Sequence, residues 1–210
     1  MDILLSSAYL APVQYYTKLV QCGGNAYIEA YESYTKQSYR NRCMIVAPNG
    51  PLALTIPTEK PSTGKCLIRD IRISDHGNWR HRHWNALESA YRHTPFFLYY
   101  EDDFRPFYEK KMEFLYDFNT ELTRLICQLI GIDTPLLPTT SYEEDTFYHD
   151  LRECIHPKHP WESDTAFSPK EYYQVFKERH GFIPNMSIID LLFNMGPESI
   201  LTLNESNSRR

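Results

Sequence analysis

The reading of the fold turns on Arg42-Cys43-Met44-Ile45-Val46-Ala47-Pro48-Asn49-Gly50-Pro51-Leu52-Ala53-Leu54-Thr55-Ile56. Two apolar runs flank Pro48-Asn49-Gly50-Pro51, and Asn-Gly supplies the backbone freedom a tight reversal needs, so the stretch predicts a β-hairpin. A hairpin is antiparallel, which argues against a purely parallel sheet. Upstream, Ile3-Leu4-Leu5 reads as a short strand, followed by a loop with Tyr9 and Pro12. A helix over Val13 to Leu19 stops at Gly23-Gly24, and Ala26 to Glu29 forms a second strand. Downstream, a Pro/Ser/Thr/Gly loop at 61–64 leads into a further strand from Leu67 to Ile73. There Leu67, Ile71 and Ile73 share one face and Arg69 breaks the pattern.

Beyond residue 77 the period becomes helical. Trp84, Leu87 and Tyr91 mark a helix over Asn78 to His93, ended by Thr94-Pro95. A helix from about 106 to 116 follows. Phe118, Leu122, Leu125, Ile126 and Leu129 then form one stripe, stopped at Gly131. Residues 133–167 show no sustained period and read as a long loop. Ser168-Pro169-Lys170-Glu171 has the form of a helix start, with Phe167 and Tyr172 placed as a hydrophobic staple, and that helix runs to His180-Gly181. Two last short helices begin near Ser187 and break at Gly196-Pro197. The expected architecture is α/β, or α+β. A single domain over 1–203 carries a mixed, partly antiparallel sheet of about four or five short strands from the N-terminal half, packed by helices. The C-terminal half is helical, and 204–210 is a flexible tail.

Composition narrows the class. With 42% apolar and 23% charged residues, the 210-residue chain can bury a core and is not disordered. Net charge is −5, unevenly spread: residues 61–94 carry six Lys and Arg against three Asp and Glu, whereas 95–150 carry four against twelve. An acidic chain without a basic stripe is a poor nucleic-acid binder, but its basic first half suits one small anion. No run approaches the length of a membrane span, the N-terminus lacks a secretory leader, and the five cysteines form no CxxC pair. These features point to a cytoplasmic chain with reduced thiols, no transmembrane segment and no structural zinc. No glycine-rich phosphate loop is present, and no cofactor is expected. Oligomeric state is left open.

The segment Tyr31 to Arg42 is the most unusual: three cations, three tyrosines and two amides lie between a strand and the hairpin. In extended geometry Arg40 and Arg42 share one face, and Tyr39 and Asn41 the other. Guanidinium forks suit phosphate or carboxylate, so Lys36, Arg40 and Arg42 are candidates for anion binding, with Gln37 and Asn41 orienting polar groups. The plainer alternative is a polar connection whose arginines pair with acids elsewhere. His83, one turn after Trp79, is the candidate for proton transfer, or else a half-buried helix histidine with a hydrogen-bond partner. His156-Pro157-Lys158-His159-Pro160, near Glu153 and Cys154, could suggest metal ligation. The prolines prevent a shared helix face, so a loop anchor is the default and no metal is assigned. Asp190 and Asn194 share a helix face and read as structural residues.

The run Tyr34-Thr35-Lys36-Gln37-Ser38-Tyr39-Arg40-Asn41-Arg42 resembles the tyrosine–lysine and asparagine–arginine signature of the WbqC-like family. So do Ala8-Tyr9-Leu10-Ala11-Pro12 with Tyr15-Tyr16, the tract from Trp79 through His83-Trp84 to Tyr91, and Leu129 to Thr134. The closing run Gly181 to Asn194 resembles the form seen in Bacteroidetes-type members. The resemblance covers nearly the whole chain, in order. It implies a role in surface-polysaccharide (O-antigen-like) biosynthesis: a transferase acting on a sugar or aminoacyl-type substrate with an anionic group, small or carrier-linked. His83 would be catalytic, and Tyr9, Tyr34, Lys36, Gln37, Arg40, Asn41, Arg42, Trp84 and Tyr91 would bind substrate. The alternative is a non-enzymatic binding or scaffold protein of a glycan or secretion assembly. Other branches carry two adjacent acids after the second strand, whereas Glu29 and Glu32 here are separated.

Overall fold

The computed structural model describes residues 1–60, 64–143 and 147–207. The expected loop at 61–64 and tail at 204–210 therefore lie partly outside the described residues. Four short strands form a parallel sheet: β1 (Ile3–Ser6), β2 (Ala26–Glu29), β5 (Leu136–Pro138) and β6 (His149–Asp150), in the spatial order β5-β2-β1-β6. The helix α1 (Val13–Gln21) carries the chain from β1 to its parallel neighbour β2, whose register sets Ile3 opposite Ala26 and Ser6 opposite Glu29. Ile3, Leu4 and Leu5 are all buried, as a strand covered on both faces requires. Pro138 has no amide to donate and sits on the edge strand, where none is needed.

The predicted hairpin forms, as β3 (Arg42–Ala47) and β4 (Gly50–Thr55) around Pro48-Asn49, with Gly50 at φ 107°. It makes a separate two-stranded sheet and does not join the parallel one. On the outer edge of β3, Val46 N donates to Tyr91 Oη, and Met44 O accepts from Ser187 N. The protein is thus of mixed α/β class, with parallel and antiparallel parts in different sheets. Two main-sheet strands, β5 and β6, come from the stretch expected to be irregular. At three and two residues they are too short to carry a period and are recruited by pairing with β2 and β1.

Three other expectations are corrected. Leu67 to Ile73 is not a strand: Ile68–Asp70 form a 3-10 turn, which puts buried Ile68 and Ile71 on one side and leaves Arg69 outside, over the Tyr31 ring. The helix expected from about 106 is α3 (Phe97–Glu109), between α2 (Trp79–Tyr91) and α4 (Leu115–Ile130). Pro106 falls in its last turn. The helix expected from Ser168 is reduced to α5 (Lys177–His180), because Ser168 N donates to Ser206 O, and Tyr172 and Gln174 both reach Asp190. Residues two apart share a face only in extended chain.

The terminal helices α6 (Ile188–Met195) and α7 (Ser199–Glu205) separate at Gly196-Pro197, as read from sequence. Of the tail, Asn204 and Glu205 belong to α7, and Ser206 is buried with its hydroxyl donating to Thr202 O. Gly196 adopts φ 55°, ψ −131°, a region essentially closed to L-residues, and a Cβ there would lie 2.5 Å from the Phe96 ring. Gly196→Ala is expected to cost about 1–3 kcal/mol, read as a lower urea midpoint at unchanged slope.

Candidate functional site

In chain order the four parallel strands lie third, second, first, fourth, the first part of the doubly wound order. In such sheets ligands bind beyond the carboxyl ends of the strands, where the order reverses. Here that point lies between β1 and β6. The residues following those strands, with their neighbours, line a crevice: Ser6, Ser7, Tyr39, Arg40, Arg152 and Ile155. It is narrow, about 10 Å³, the space of roughly one water.

Two arginine–carboxylate networks meet at this edge. Arg40, on the connection from β2 to β3, is buried. Its Nε donates to Glu32 Oε1 at 2.8 Å, and its Nη2 donates to Glu32 Oε2 and to Ser6 Oγ, the latter at 3.0 Å. Ser6 Oγ in turn donates to Glu32 Oε2. No hydrogen bond among the described residues engages Arg40 Nη1. On the other side, Arg152 bonds Glu29 at 3.1 Å and grips Asp150 through Nε and Nη2. Glu29, at the end of β2, also accepts from Tyr31 N and Thr139 Oγ1. Beyond Thr139 lies a second cleft of about 380 Å³, lined by Ala30, Arg69, Asp70, Phe114, Tyr116 and Thr139, at the ends of β2 and β5. Glu29 bonds one lining residue of each, Arg152 of the crevice and Thr139 of the cleft.

Comparable cavities of about 370 and 400 Å³ open at the amino end of the sheet, around Lys18 and Cys22 and around Gly131 to Pro135. The small crevice is the better candidate despite its size, because among these four clefts it is the one lined by two arginines and two serines, each arginine bonded to carboxylates behind it. The amide cradle that a helix start offers to phosphates is closed at α1: Val13 N donates to Met186 O and Gln14 N to Asn185 Oδ1. The connection from β1 to α1 is itself strained, with buried Leu10 at φ 41°.

The sequence-nominated residues divide into three groups. Arg40 lines the crevice. Asn41, next to it, anchors the hairpin, with Nδ2 donating to Ile56 O. Tyr9 and His83 meet in the core, where Tyr9 Oη lies 2.9 Å from His83 Nδ1 and 3.0 Å from Tyr108 Oη. Burial pushes the His83 pKa down to about 4, against the opposing pull of the Thr55 backbone, so the ring is neutral near pH 7. His83 does not line the crevice, and its cluster meets the Arg40 segment where Tyr9 N donates to Tyr39 O. Trp84 packs under Arg105, with the guanidinium 5.2 Å from its ring, and Tyr91 Oη donates to Asp190 at 3.0 Å. Tyr34 is half-buried near Thr58; Lys36 and Gln37 are exposed; Arg42 reaches Thr55 on the outside of the hairpin.

Sequence reasoning did not nominate Ser6, Ser7 or Arg152. Serines at a strand end carry no local signal, and Arg152 lies in the aperiodic stretch. Glu29 and Glu32, separated in the sequence, are each paired to a different arginine. Among the described residues no group of three or more His, Cys, Asp or Glu is placed to hold a metal, and the cysteines are free.

Strand order and edge chemistry define an α/β protein with an arginine–carboxylate site at the reversal point of a parallel sheet. Residues 7–156 and 163–202 match the WbqC-like protein family, and the chain belongs to that family. The uncharacterised protein Rv1507c of Mycobacterium tuberculosis is 30% identical over 189 residues, covering 79% of this chain and 81% of the relative. No solved structure matches the chain.

Proposed function

We propose that this protein is a transferase of surface-polysaccharide biosynthesis acting on a sugar or aminoacyl-type substrate, whose anionic group is held in the crevice between β1 and β6. The observation that carries the reading is Arg40, buried at the reversal point and fixed by Glu32 and Ser6 with Nη1 uncommitted. A pre-positioned guanidinium binds a carboxylate or phosphate with little loss of side-chain entropy. Two clefts at one end of the sheet, with lining residues Arg152 and Thr139 both bonded to Glu29, suit a reaction that joins two substrates. The larger cleft falls within the volume range of small-molecule sites. Among the described residues no helix is long and apolar enough to cross a membrane, and the proposed place of action is the cytoplasm.

A thermal-shift screen of nucleotide sugars, amino acids and acyl carriers tests this reading. A stabilising compound is expected for the wild type, with at least about tenfold weaker binding to Arg40→Lys, which keeps the charge and loses the planar fork. The tightness of the crevice favours a second reading, a binding or scaffold protein. A screen without any responding compound, together with a protein partner bound equally by wild type and Arg40→Lys, would establish that reading and remove the first.

A further inference from the structure

The cavity of about 370 Å³ at the amino ends of β1 and β6 holds a buried charge with donors to spare. Lys18, in α1, lines it, and the Lys18 side chain is only 6% exposed. Among the described residues its ammonium has a single partner, Asp164 Oδ2 at 2.6 Å. The Asp164 carboxylate is also held from other sides. Gln14 Nε2 donates to Oδ2 at 2.8 Å, and Ala166 N donates to Oδ1 at 3.1 Å. Ala166 lines the cavity, whereas Asp164 does not. The ammonium and Ala166 thus attach to one carboxylate and border one space, which places the charged end of Lys18, and not its stem alone, at the wall.

An ammonium has three protons to donate, and one is used. Buried donors without an acceptor are costly, so the other two need acceptors inside the cavity. Charge decides what kind. Lys18 and Asp164 already cancel, and an anionic head group would set two carboxylates about one ammonium away from bulk water. No aspartate or glutamate among the lining residues is there to accept a proton from a ligand's own donor. A neutral carbonyl oxygen, with two lone pairs and no proton, meets both conditions. Ile3, Leu151 and Ala166 make much of the remaining wall apolar, and the volume falls within the range of small-molecule sites.

The geometry points to a second ligand site here, a pocket for a small neutral carbonyl compound with an apolar body, whose oxygen accepts from Lys18 Nζ. Gln14 and Ala166 N fix the counter-charge, and the counter-charge fixes the ammonium, so the donors are set before the ligand arrives. The site is independent of the crevice reading, which concerns the carboxyl ends of the same strands.

Cys22 lines the cavity as a free, partly buried thiol, which makes it a reporter of occupancy. The probe is N-methylpyrrolidone, a neutral tertiary amide without a donor, and cyclopentanecarboxylate is an anionic counterpart of similar size. In the full chain the amide is expected to slow alkylation of Cys22 by iodoacetamide saturably, while Cys66 reacts at an unchanged rate. The carboxylate should protect Cys22 with at least about tenfold weaker affinity. Cys22 also borders the neighbouring cavity of about 400 Å³, so two variants assign the protection. Lys18→Met combined with Asp164→Asn removes both charges together and should weaken protection by about tenfold or more. Ala166→Leu fills the pocket, leaves the ion pair in place and should abolish protection. Equal protection by the carboxylate, no saturable protection by the amide, or protection unchanged in either folded variant overturns the proposal. The comparison of amide with carboxylate on the wild type decides it even where a variant fails to fold.

Discussion

Arg40→Ala is expected to lose about 3–5 kcal/mol of folding stability, because it leaves the Glu32 carboxylate buried with only the Ser6 hydroxyl as a side-chain partner. In the native protein Arg40 meets that carboxylate through two nitrogens and bonds Ser6 as well, so neither charge is exposed or unpaired. Replacing both partners with apolar residues of similar length, Glu32→Leu with Arg40→Met, removes the stranded charge. The double variant is expected to be more stable than either single variant by about 2 kcal/mol or more. Urea unfolding of the four proteins measures the coupling. Simple additivity of the two single losses would mean that the pair acts independently and that Arg40 is held by something else. The outcome bears on function, since a guanidinium that costs this much to bury without its partner is also one that stays fixed when a ligand arrives.

The second large effect is a cancellation in acid. His83 is neutral when folded, its pKa held at about 4 by burial, against 6.5 for an unperturbed imidazole. Between those values the unfolded chain takes up a proton that the folded one refuses, so stability falls with pH, by about 3 kcal/mol over the full window. Asp190 has the opposite sign. Burial raises its carboxyl to about 6 from 3.8, against the hydrogen bonds from Tyr172, Gln174 and Tyr91 that favour the charged form. Here the folded chain takes up the proton first, so stability rises as pH falls from 6 to 3.8, again by about 3 kcal/mol, and is lost on the way back up. The two contributions nearly offset between pH 4 and 6. Asp190→Asn should expose the His83 slope, a steep loss of stability on acidification. His83→Gln should expose the reverse, stability rising toward pH 4. Melting temperatures of the two variants from pH 4 to 7 decide this, and parallel curves for both would disprove it.

Much of the local structure is legible in the sequence. The hairpin around Pro48-Asn49, the stop of α4 at Gly131 with φ 84°, and the break at Gly196-Pro197 are each specified by residues a few positions apart. Failures occur where distant groups capture a segment. Ser168-Pro169-Lys170-Glu171 has the chemistry of a helix start, but Tyr172 and Gln174 gain more by both reaching the buried Asp190 carboxylate than a surface helix turn would return. The apparent strand at 67–73 hides a three-residue spacing, Ile68 and Ile71, inside a two-residue one. Asp190 itself, read as a structural helix residue, has that character: its carboxylate ties α2 and the 172–174 segment to α6.

For the candidate site the division is sharper. Arg40 could be nominated because cations, amides and tyrosines crowd around it, yet the same crowding also nominated Lys36, Gln37 and Arg42, which lie at the surface. Exposure depends on which way a turn faces, and that is set by packing.

The sequence by itself determined the family, through its ordered motifs, and the class, the hairpin, the stop of α4 and the break at Gly196-Pro197, because turns and caps act over a few residues and need no partner. Only the tertiary structure decided that β5 and β6 complete the parallel sheet, and that Ser6, Glu32, Arg40 and Arg152 meet at its reversal point. Strands of two or three residues have no stability apart from the neighbour they pair with, and a buried charge is tolerable only where its counter-charge is brought to it. The β1–β6 and β2–β5 pairings and the Arg152–Glu29 ion pair each span more than a hundred residues of chain, a distance over which no local pattern carries information, and the Arg40–Glu32 pair, eight residues apart, reaches Ser6 only through the fold.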